Sequence, residues 1–313
     1  MLSPRVQVSF IIPLFNCLAL TRAGIESLQA TLPAGLPHEI ILVDDGSTDG
    51  TRDWLAELGP PFRVLLHERN LGYALANNRG AALAQGRFLV LLNNDLILQP
   101  HWLEPMLATH QSLGDRAGIV GNVQLDARTG AVDHAGIVLS AQGKPEHARA
   151  LPAFARWRSA GLRLVPAVTG ACLLIERSLW QQLGGFDVSF LNGGEDVDLC
   201  YRARAVGRAT AVALTSVIRH HVSSSPGRKL RDEQNSFRLF RRWRRAFIGD
   251  ATRAWCRNYL CAALVDPRSA EHRLARHALL HAVGLTAAPP SEAIAQLEAA
   301  HAREFARWEE MFT

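Results

Sequence analysis

The sequence predicts an open, largely parallel α/β sheet followed by a helical segment. Short apolar runs alternate with helix-like stretches from Val6 to Leu92, and the runs near Val43 and Leu92 end in acidic residues. Beyond Ser223 no further strand pattern occurs and the chain is helical and arginine-rich.

Val6–Pro13 reads as a buried strand, Thr21–Thr31 as a helix that Thr21 caps and Gly24 weakens, and Glu39–Val43 as a second strand running into Asp44-Asp45-Gly46-Ser47-Thr48-Asp49-Gly50. Thr51–Leu58 follows as a helix closed by Gly59-Pro60-Pro61, then Arg63–His67 as a strand and Tyr73–Gln85 as an alanine-rich helix ended by Gly86. Arg87–Leu92 is the next strand and delivers Asn93-Asn94-Asp95. Past Gly118 the alternation weakens. Ile119–Leu125, Ile137–Leu139, Ala171–Ile175 and Val212–Arg219 read as strands, Arg177–Leu183 and Val197–Val206 as short helices, and Ser291–Met311 as a last helix after Pro289-Pro290.

Composition excludes several classes. At 313 residues, with 48% hydrophobic and 20% charged side chains, the chain resembles an ordinary globular protein with ample core. No apolar run approaches the ~20 residues of a membrane-spanning helix. The apolar run after Arg5 superficially resembles a signal peptide, but Ser9, Pro13 and Asn16 interrupt it, so a cytoplasmic location is expected. Five scattered cysteines without a Cys-x-x-Cys pair argue for reduced thiols, against a disulfide framework or zinc site. The net charge of +5 belongs to residues 223–313, which hold 15 basic and 10 acidic side chains; residues 1–222 balance at 19 each. Arg238, Arg241, Arg242, Arg244 and Arg245 are interleaved with Phe237, Leu239, Phe240, Trp243, Phe247 and Ile248. The plain reading is a solvated helix face; the sharper one is a helix lying on an anionic membrane or meeting an acidic or lipid-diphosphate acceptor. Nucleic acid is not expected as a partner, because the rest of the chain carries no basic stripe.

Four clusters carry candidate chemistry. Ligands of open α/β sheets bind beyond the carboxyl ends of the strands, where the acidic clusters fall. Asp44-Asp45-Gly46-Ser47 sits at a strand-to-helix turn; its carboxylates can accept hydrogen bonds from a base or ribose, though the same string makes an ordinary turn and cap. Asp95, ending an apolar strand after two asparagines, suits a hard divalent ion bridging two phosphates; a polar strand end is the plainer alternative. His220-His221 can supply an imidazole from the far side of the cleft, although such a pair is more often structural. Ser223–Arg228 has the composition of a mobile loop over phosphates. Gly193-Gly194-Glu195-Asp196 opens a helix. Asp196 is the candidate general base and Glu195 would position an acceptor, against the alternative of an acidic cap with a solvated Asp198.

Taken together, these residues resemble family 2 glycosyltransferases of the GT-A fold. Val8–Asn16 looks like the family's first strand and donor loop, and Leu42–Thr51 is similar to its nucleotide-binding signature. Asn70-Leu71-Gly72-Tyr73 with Ala76–Gly80 resembles the helix under the donor, and Asn93-Asn94-Asp95 stands at the Asp-x-Asp metal motif with Asn93 in place of the first aspartate. Gly193–Asp196 stands at the Glu-Asp motif. Asp133-His134-Ala135-Gly136-Ile137 is similar to a segment of rhamnosyltransferase-like and polysaccharide-assembly members, with no role derived for it.

The resemblance implies a GT-A domain over residues 1–222, divided into a nucleotide-sugar half (1–117) and an acceptor half with a mixed sheet (118–222), then a helical region over 223–313. It implies inverting, single-displacement transfer from a UDP- or dTDP-sugar, with dTDP-L-rhamnose the leading donor, to a glycan, lipid-linked or protein-linked hydroxyl. It assigns Pro13, Asn16, Asp44, Asp45, Gly72, Asn78 and Asn94 to the donor, Asp95 and His220 to Mn²⁺ or Mg²⁺, and Asp196 with Glu195 to catalysis; the basic C-terminal segment adds the expectation of an acceptor held at the inner face of a membrane. A nucleotidyltransferase would want a glycine-rich basic loop after the first strand, and a dehydrogenase Gly-x-Gly-x-x-Gly; Pro13-Leu14-Phe15-Asn16 offers neither. A catalytically silent nucleotide-sugar or glycan-binding module is the remaining alternative.

Overall fold

A computed structural model describes residues 6–151, 161–221, 232–266 and 271–312. They fall into two compact units, one within Met1–Ile137 and His147–Arg231, the other within Val138–Glu146 and Asp232–Thr313. In chain order the strands are β1 (Val8–Leu14), β2 (His38–Asp44), β3 (Phe62–Leu66), β4 (Phe88–Leu92), β5 (Leu96–Leu98), β6 (Ala117–Asp126), β7 (Val132–His134), β8 (Ile137–Leu139), β9 (Pro145–His147), β10 (Leu162–Leu164), β11 (Cys172–Glu176) and β12 (Ala209–His220). The helices are α1 (Leu18–Thr31), α2 (Thr51–Ala56), α3 (Tyr73–Leu83), α4 (Leu103–Leu113), α5 (Arg177–Leu183), α6 (Glu195–Ala205), α7 (Asp232–Val265), α8 (His272–Ala282) and α9 (Ser291–Phe312).

The first unit is built on a ten-stranded sheet in the order β10-β12-β6-β11-β4-β1-β2-β3, with β5 on β12 and β7 on β6. β4, β1, β2 and β3 run parallel, whereas β11 is antiparallel to both β4 and β6. All seven residues of β1 are buried, because both faces of the sheet are covered. Phe10, Ile12 and Leu14 join Ile25, Leu28, Trp102 and Met106 in one core. On the other face α3 comes so close that a Cβ on Gly80 would stand 2.6 Å from Ile11 Cγ2, which only glycine permits. The parallel strands therefore end together, and Asn16, Asp44 and Asn93 all leave the sheet at that edge.

Several elements differ from the sequence pattern. α1 begins at Leu18, with Cys17 in the left-handed region at φ 61, so Thr21 lies inside the helix rather than capping it. Its cap role passes to Asp49, whose Oδ2 accepts the Leu18 N–H at 2.9 Å. The strands β5, β7, β9 and β10 are three residues each, too short for a periodicity to register, and α4 is broken in pattern by Pro105. Asp198 is fully buried, paired with Arg202 at 2.7 Å, which corrects the solvated alternative. The Ser223–Arg228 loop lies outside the described residues.

In the second unit, α7 turns its apolar side to its own neighbours. Phe240 packs on Phe247, Trp308 and His301, and Phe237 on Phe305 and Phe312. Arg241, Arg242 and Arg245 stay exposed. β8 and β9 form a separate two-stranded sheet, and the turn between them is fastened within this unit: Lys144 pairs with Glu304 at 3.1 Å, and the Gln142 carbonyl meets His301 Nε2 at 3.1 Å. Among the described residues no helix is long and apolar enough to cross a membrane.

Candidate functional site

The loops after β1 and β2 are stitched to each other before any ligand enters. The Asn16 N–H donates to Ser47 Oγ at 2.8 Å, and Asn16 Oδ1 accepts the Thr48 N–H at 2.8 Å. Asn16 holds φ 54 to do so, a conformation asparagine tolerates better than most residues. Asn94 Nδ2 donates to Thr21 Oγ1 at 2.8 Å and to the Asn16 carbonyl at 3.4 Å, drawing the β4 end onto α1. Pro13 is buried within β1.

Asp44 and Asp45 are both buried and differ in partners. Asp44 Oδ2 accepts Arg52 Nε at 2.8 Å, and its carboxylate faces the Ser47 N–H at 3.3 Å. Asp45 instead accepts the Leu71 and Gly72 N–H groups at 2.9 Å each, and His67 Nδ1 donates to it at 2.8 Å. It therefore anchors the loop into α3, with Gly72 at φ 94 where a side chain would be strained. Asn78 is matched on both sides by the Phe186 backbone, donating to its carbonyl at 2.8 Å and accepting its N–H at 2.9 Å. The sequence pattern gave no sign that Arg52, held on Asp44, would occupy this corner.

At the β4 end, Asp95 Oδ1 lies 3.3 Å from His220 Nε2, and His221 meets the same residue through its backbone, donating to the Asp95 carbonyl at 3.0 Å. Asn93 Oδ1, Asp95 Oδ1 and His220 Nδ1 are buried atoms with no hydrogen-bond partner among the described residues. Buried polar atoms are rarely left so, and a carboxylate facing an imidazole at that distance is a donor pair a divalent cation fits. Among the described residues no three His, Cys, Asp or Glu side chains converge on one point, so a cation here would need further oxygen ligands from a bound phosphate.

Asp196 opens α6 half-buried. Its Oδ1 accepts the Val197 N–H and its Oδ2 the Gly170 N–H, both at 2.8 Å. Glu195 is buried, and its Oε2 accepts the Gly193 N–H at 2.7 Å, closing the glycine turn. Tyr73, unforeseen in the sequence, donates its hydroxyl to the Gly170 carbonyl at 2.8 Å. Burial, with the Glu195 and Asp196 charges adding to it, drives the Tyr73 hydroxyl well above the usual range, so it stays a neutral donor. One residue further on, the Ala171 carbonyl accepts the Asn93 N–H at 2.8 Å. A single stretch of backbone, Gly170-Ala171, thus joins the Asp196 end of α6 to the start of the Asn93–Asp95 segment.

Residues 9–181 match the family described as Glycosyl transferase family 2. Three curated relatives are an uncharacterized protein, y4gI, of Sinorhizobium fredii (33% identical, 76% of this chain and 27% of that protein), the O-antigen biosynthesis protein RfbC of Myxococcus xanthus (33%, 70% and 18%) and the N-acetylglucosaminyl-diphospho-decaprenol L-rhamnosyltransferase of Mycobacterium tuberculosis (28%, 71% and 78%). The chain thus spans only about a quarter or less of the first two. Two solved structures share the GT-A-like fold. GalNAc-T7 with UDP, GalNAc and Mn²⁺ superposes with a TM-score of 0.62 at 18% identity, over 86% of this chain and 54% of that one. The mannosyltransferase PcManGT of Pyrobaculum calidifontis with GDP-Man and Mn²⁺ gives 0.56 at 19% identity, over 97% and 88%.

Proposed function

The chain belongs to glycosyltransferase family 2, and on that premise we propose that it is an inverting transferase moving a sugar from a UDP- or dTDP-sugar to a hydroxyl of a glycan, lipid-linked or protein-linked acceptor. The observation that carries this reading is the Gly170-Ala171 backbone, bonded on one side to Asp196 and on the other to the segment leading to Asp95. A base at the acceptor and a charge sink at the leaving group are the two devices a direct displacement needs.

In the proposed reaction, Asp196 takes the proton of the acceptor hydroxyl as its oxygen bonds to the anomeric carbon, while the bond to the nucleoside diphosphate breaks on the opposite face. Two bonds of Asp196 to backbone N–H groups hold the carboxylate in place, leaving its other lone pairs for the acceptor. Asp95 and His220 would hold Mn²⁺ or Mg²⁺, which when bound neutralises the charge gathering on the diphosphate. Pro13, Asn16, Asp44, Asp45, Gly72, Asn78 and Asn94 would shape the donor side, several through the loop bonds described above rather than by touching the nucleotide. Glu195 would fix the glycine turn beside the acceptor.

The O-antigen and rhamnosyltransferase relatives favour a cell-envelope glycan or lipid-linked acceptor and a dTDP-L-rhamnose donor. On this reading residues 1–222 would carry the transfer chemistry, and the exposed Arg241, Arg242 and Arg245 support peripheral contact with an anionic membrane face. The test is Asp196→Asn. Transfer should fall by about 10²–10⁴-fold with donor binding nearly unchanged, since a general base contributes that much. Loss of donor binding with an intact fold would overturn the assignment.

A further inference from the structure

The segment Asp133-His134-Ala135-Gly136-Ile137 lies along the residues that precede Gly170. Ile137 donates its N–H to the Ala167 carbonyl at 2.7 Å. Gly136 holds φ 103, and a Cβ there would stand 2.7 Å from Val165 Cγ1, so only glycine lets the two segments approach. Ala135 is fully buried, and Asp133 sits 3.9 Å from Arg149 at the outer end. Gly136 and Ile137 thus lie along Val165–Ala167, while the Ala135 N–H is taken up by the Ala148 carbonyl at 2.8 Å.

His134 ends β7 fully buried, beside Gln124 of β6. Its Nε2 lies 3.4 Å from the Thr169 nitrogen, which donates to it. A ring nitrogen that accepts from an N–H carries no proton, so the tautomer is fixed with hydrogen on Nδ1. Burial, with the His147 and His220 charges acting in the same direction, holds the imidazole well below its usual pKa and therefore neutral. Thr169 is 5% exposed, so its N–H needs an acceptor inside the protein, and the imidazole is the one it has. The next residue along carries the bonds that matter to catalysis: the Gly170 N–H donates to Asp196 and the Gly170 carbonyl accepts from Tyr73.

We propose that His134 is a positioning residue for Asp196: its Nε2 holds the Thr169 N–H and so orients the following Thr169–Gly170 peptide, whose N–H grips the Asp196 carboxylate. The role rests on the transferase reading of Asp196, but the link from His134 to Gly170 is physical and is read without turnover.

The experiment compares H134L, which removes the acceptor, with H134Q, whose amide oxygen restores one. Amide hydrogen exchange at Gly170 is followed by NMR in the full chain, and kcat and the donor KM are measured alongside. In H134L, Gly170 exchange should rise at least about tenfold as its bond to Asp196 loosens. The same variant should lose about 10²-fold in kcat, the scale for misplacing a catalytic group, with the donor KM within about twofold. H134Q should recover most of both. Equal loss in H134L and H134Q, unchanged Gly170 exchange in H134L, or a loss confined to the donor KM would each overturn the proposal. If H134L does not fold, H134N, whose shorter amide falls short of Thr169, replaces it with the same expectations. A wild-type protein without turnover on any donor would sink the transferase reading alone, and the exchange comparison would still decide the positioning link.

Discussion

Replacing Arg202 by methionine perturbs the helix that carries Asp196 without touching the cleft. Arg202 Nε donates to Asp198 Oδ2 one turn earlier at 2.7 Å, while its other two nitrogens donate to the Leu183 carbonyl at 2.6 Å and the Gly185 carbonyl at 2.8 Å. One guanidinium therefore ties α6 to the end of α5 and to the turn before Phe186. The Asp198 side chain is fully buried and that of Arg202 is 21% exposed. Removing one partner of a buried pair typically costs about 3–5 kcal/mol, because a buried charge loses its counterion. The residual exposure of Arg202 puts the expected loss at the lower end, about 3 kcal/mol. For a domain of this size each kcal/mol lowers Tm by about 2–4 °C, so Arg202→Met should melt roughly 6–12 °C below wild type. Denaturant unfolding of R202M, D198N and the double variant gives the coupling directly, and the double variant should lose less than the sum of the singles. A loss below about 1 kcal/mol in R202M, the scale of a surface ion pair, would refute the assignment of this bridge as a buried strut.

Four further outcomes follow from the geometry. Gly46→Ala should destabilise the fold and weaken donor binding measured by calorimetry, because φ is +85 and the new Cβ would lie 2.6 Å from the Arg69 backbone carbon. Glu39, although burial raises its pKa, is held below the usual glutamate range by bonds from Ser9, Gln85 and Arg63. A depressed carboxylate stabilises the fold above its unfolded pKa and loses that contribution as pH falls through its folded value, so the stability gap between wild type and Glu39→Gln, measured by denaturant titration, should be present at neutral pH and shrink in acid. Asp95→Ala and His220→Ala should each weaken Mn²⁺ binding in the presence of nucleoside diphosphate by about tenfold or more, read by titration calorimetry, whereas His221→Ala should leave it nearly unchanged. Charge removal at Arg241, Arg242 and Arg245, each to glutamine, should reduce sedimentation with anionic vesicles, by about 1 kcal/mol per residue if that face meets the membrane.

The parallel half of the sheet was legible in the sequence because strands buried on both faces leave unbroken apolar runs such as Phe88–Leu92. The acidic clusters were legible for a related reason: a carboxylate directly after a buried strand stands out against its apolar neighbours. What escaped was tertiary. Asp49 caps α1 from thirty-one positions away, a contact no local pattern encodes. Arg52 reads as an ordinary exposed helix residue until the fold lays it over Asp44. Tyr73 and Thr169 reach Asp196 only through a backbone peptide, so neither carries a signature of its own. His134 was visible as part of a motif, yet its partner is an N–H thirty-five positions on, which explains why the motif had a resemblance and no chemistry.

The proposed reaction is metal-assisted transfer from a nucleotide sugar at the Asp95–Asp196 site. Its most direct test is nucleotide release from a panel of UDP-, dTDP- and GDP-sugars, with Mn²⁺ and with chelator, for the wild type and Asp95→Ala. Release is expected from one UDP- or dTDP-sugar, requiring the cation and lost in Asp95→Ala. Release that is indifferent to chelator and to Asp95→Ala, or no release and no binding of any donor, would contradict it.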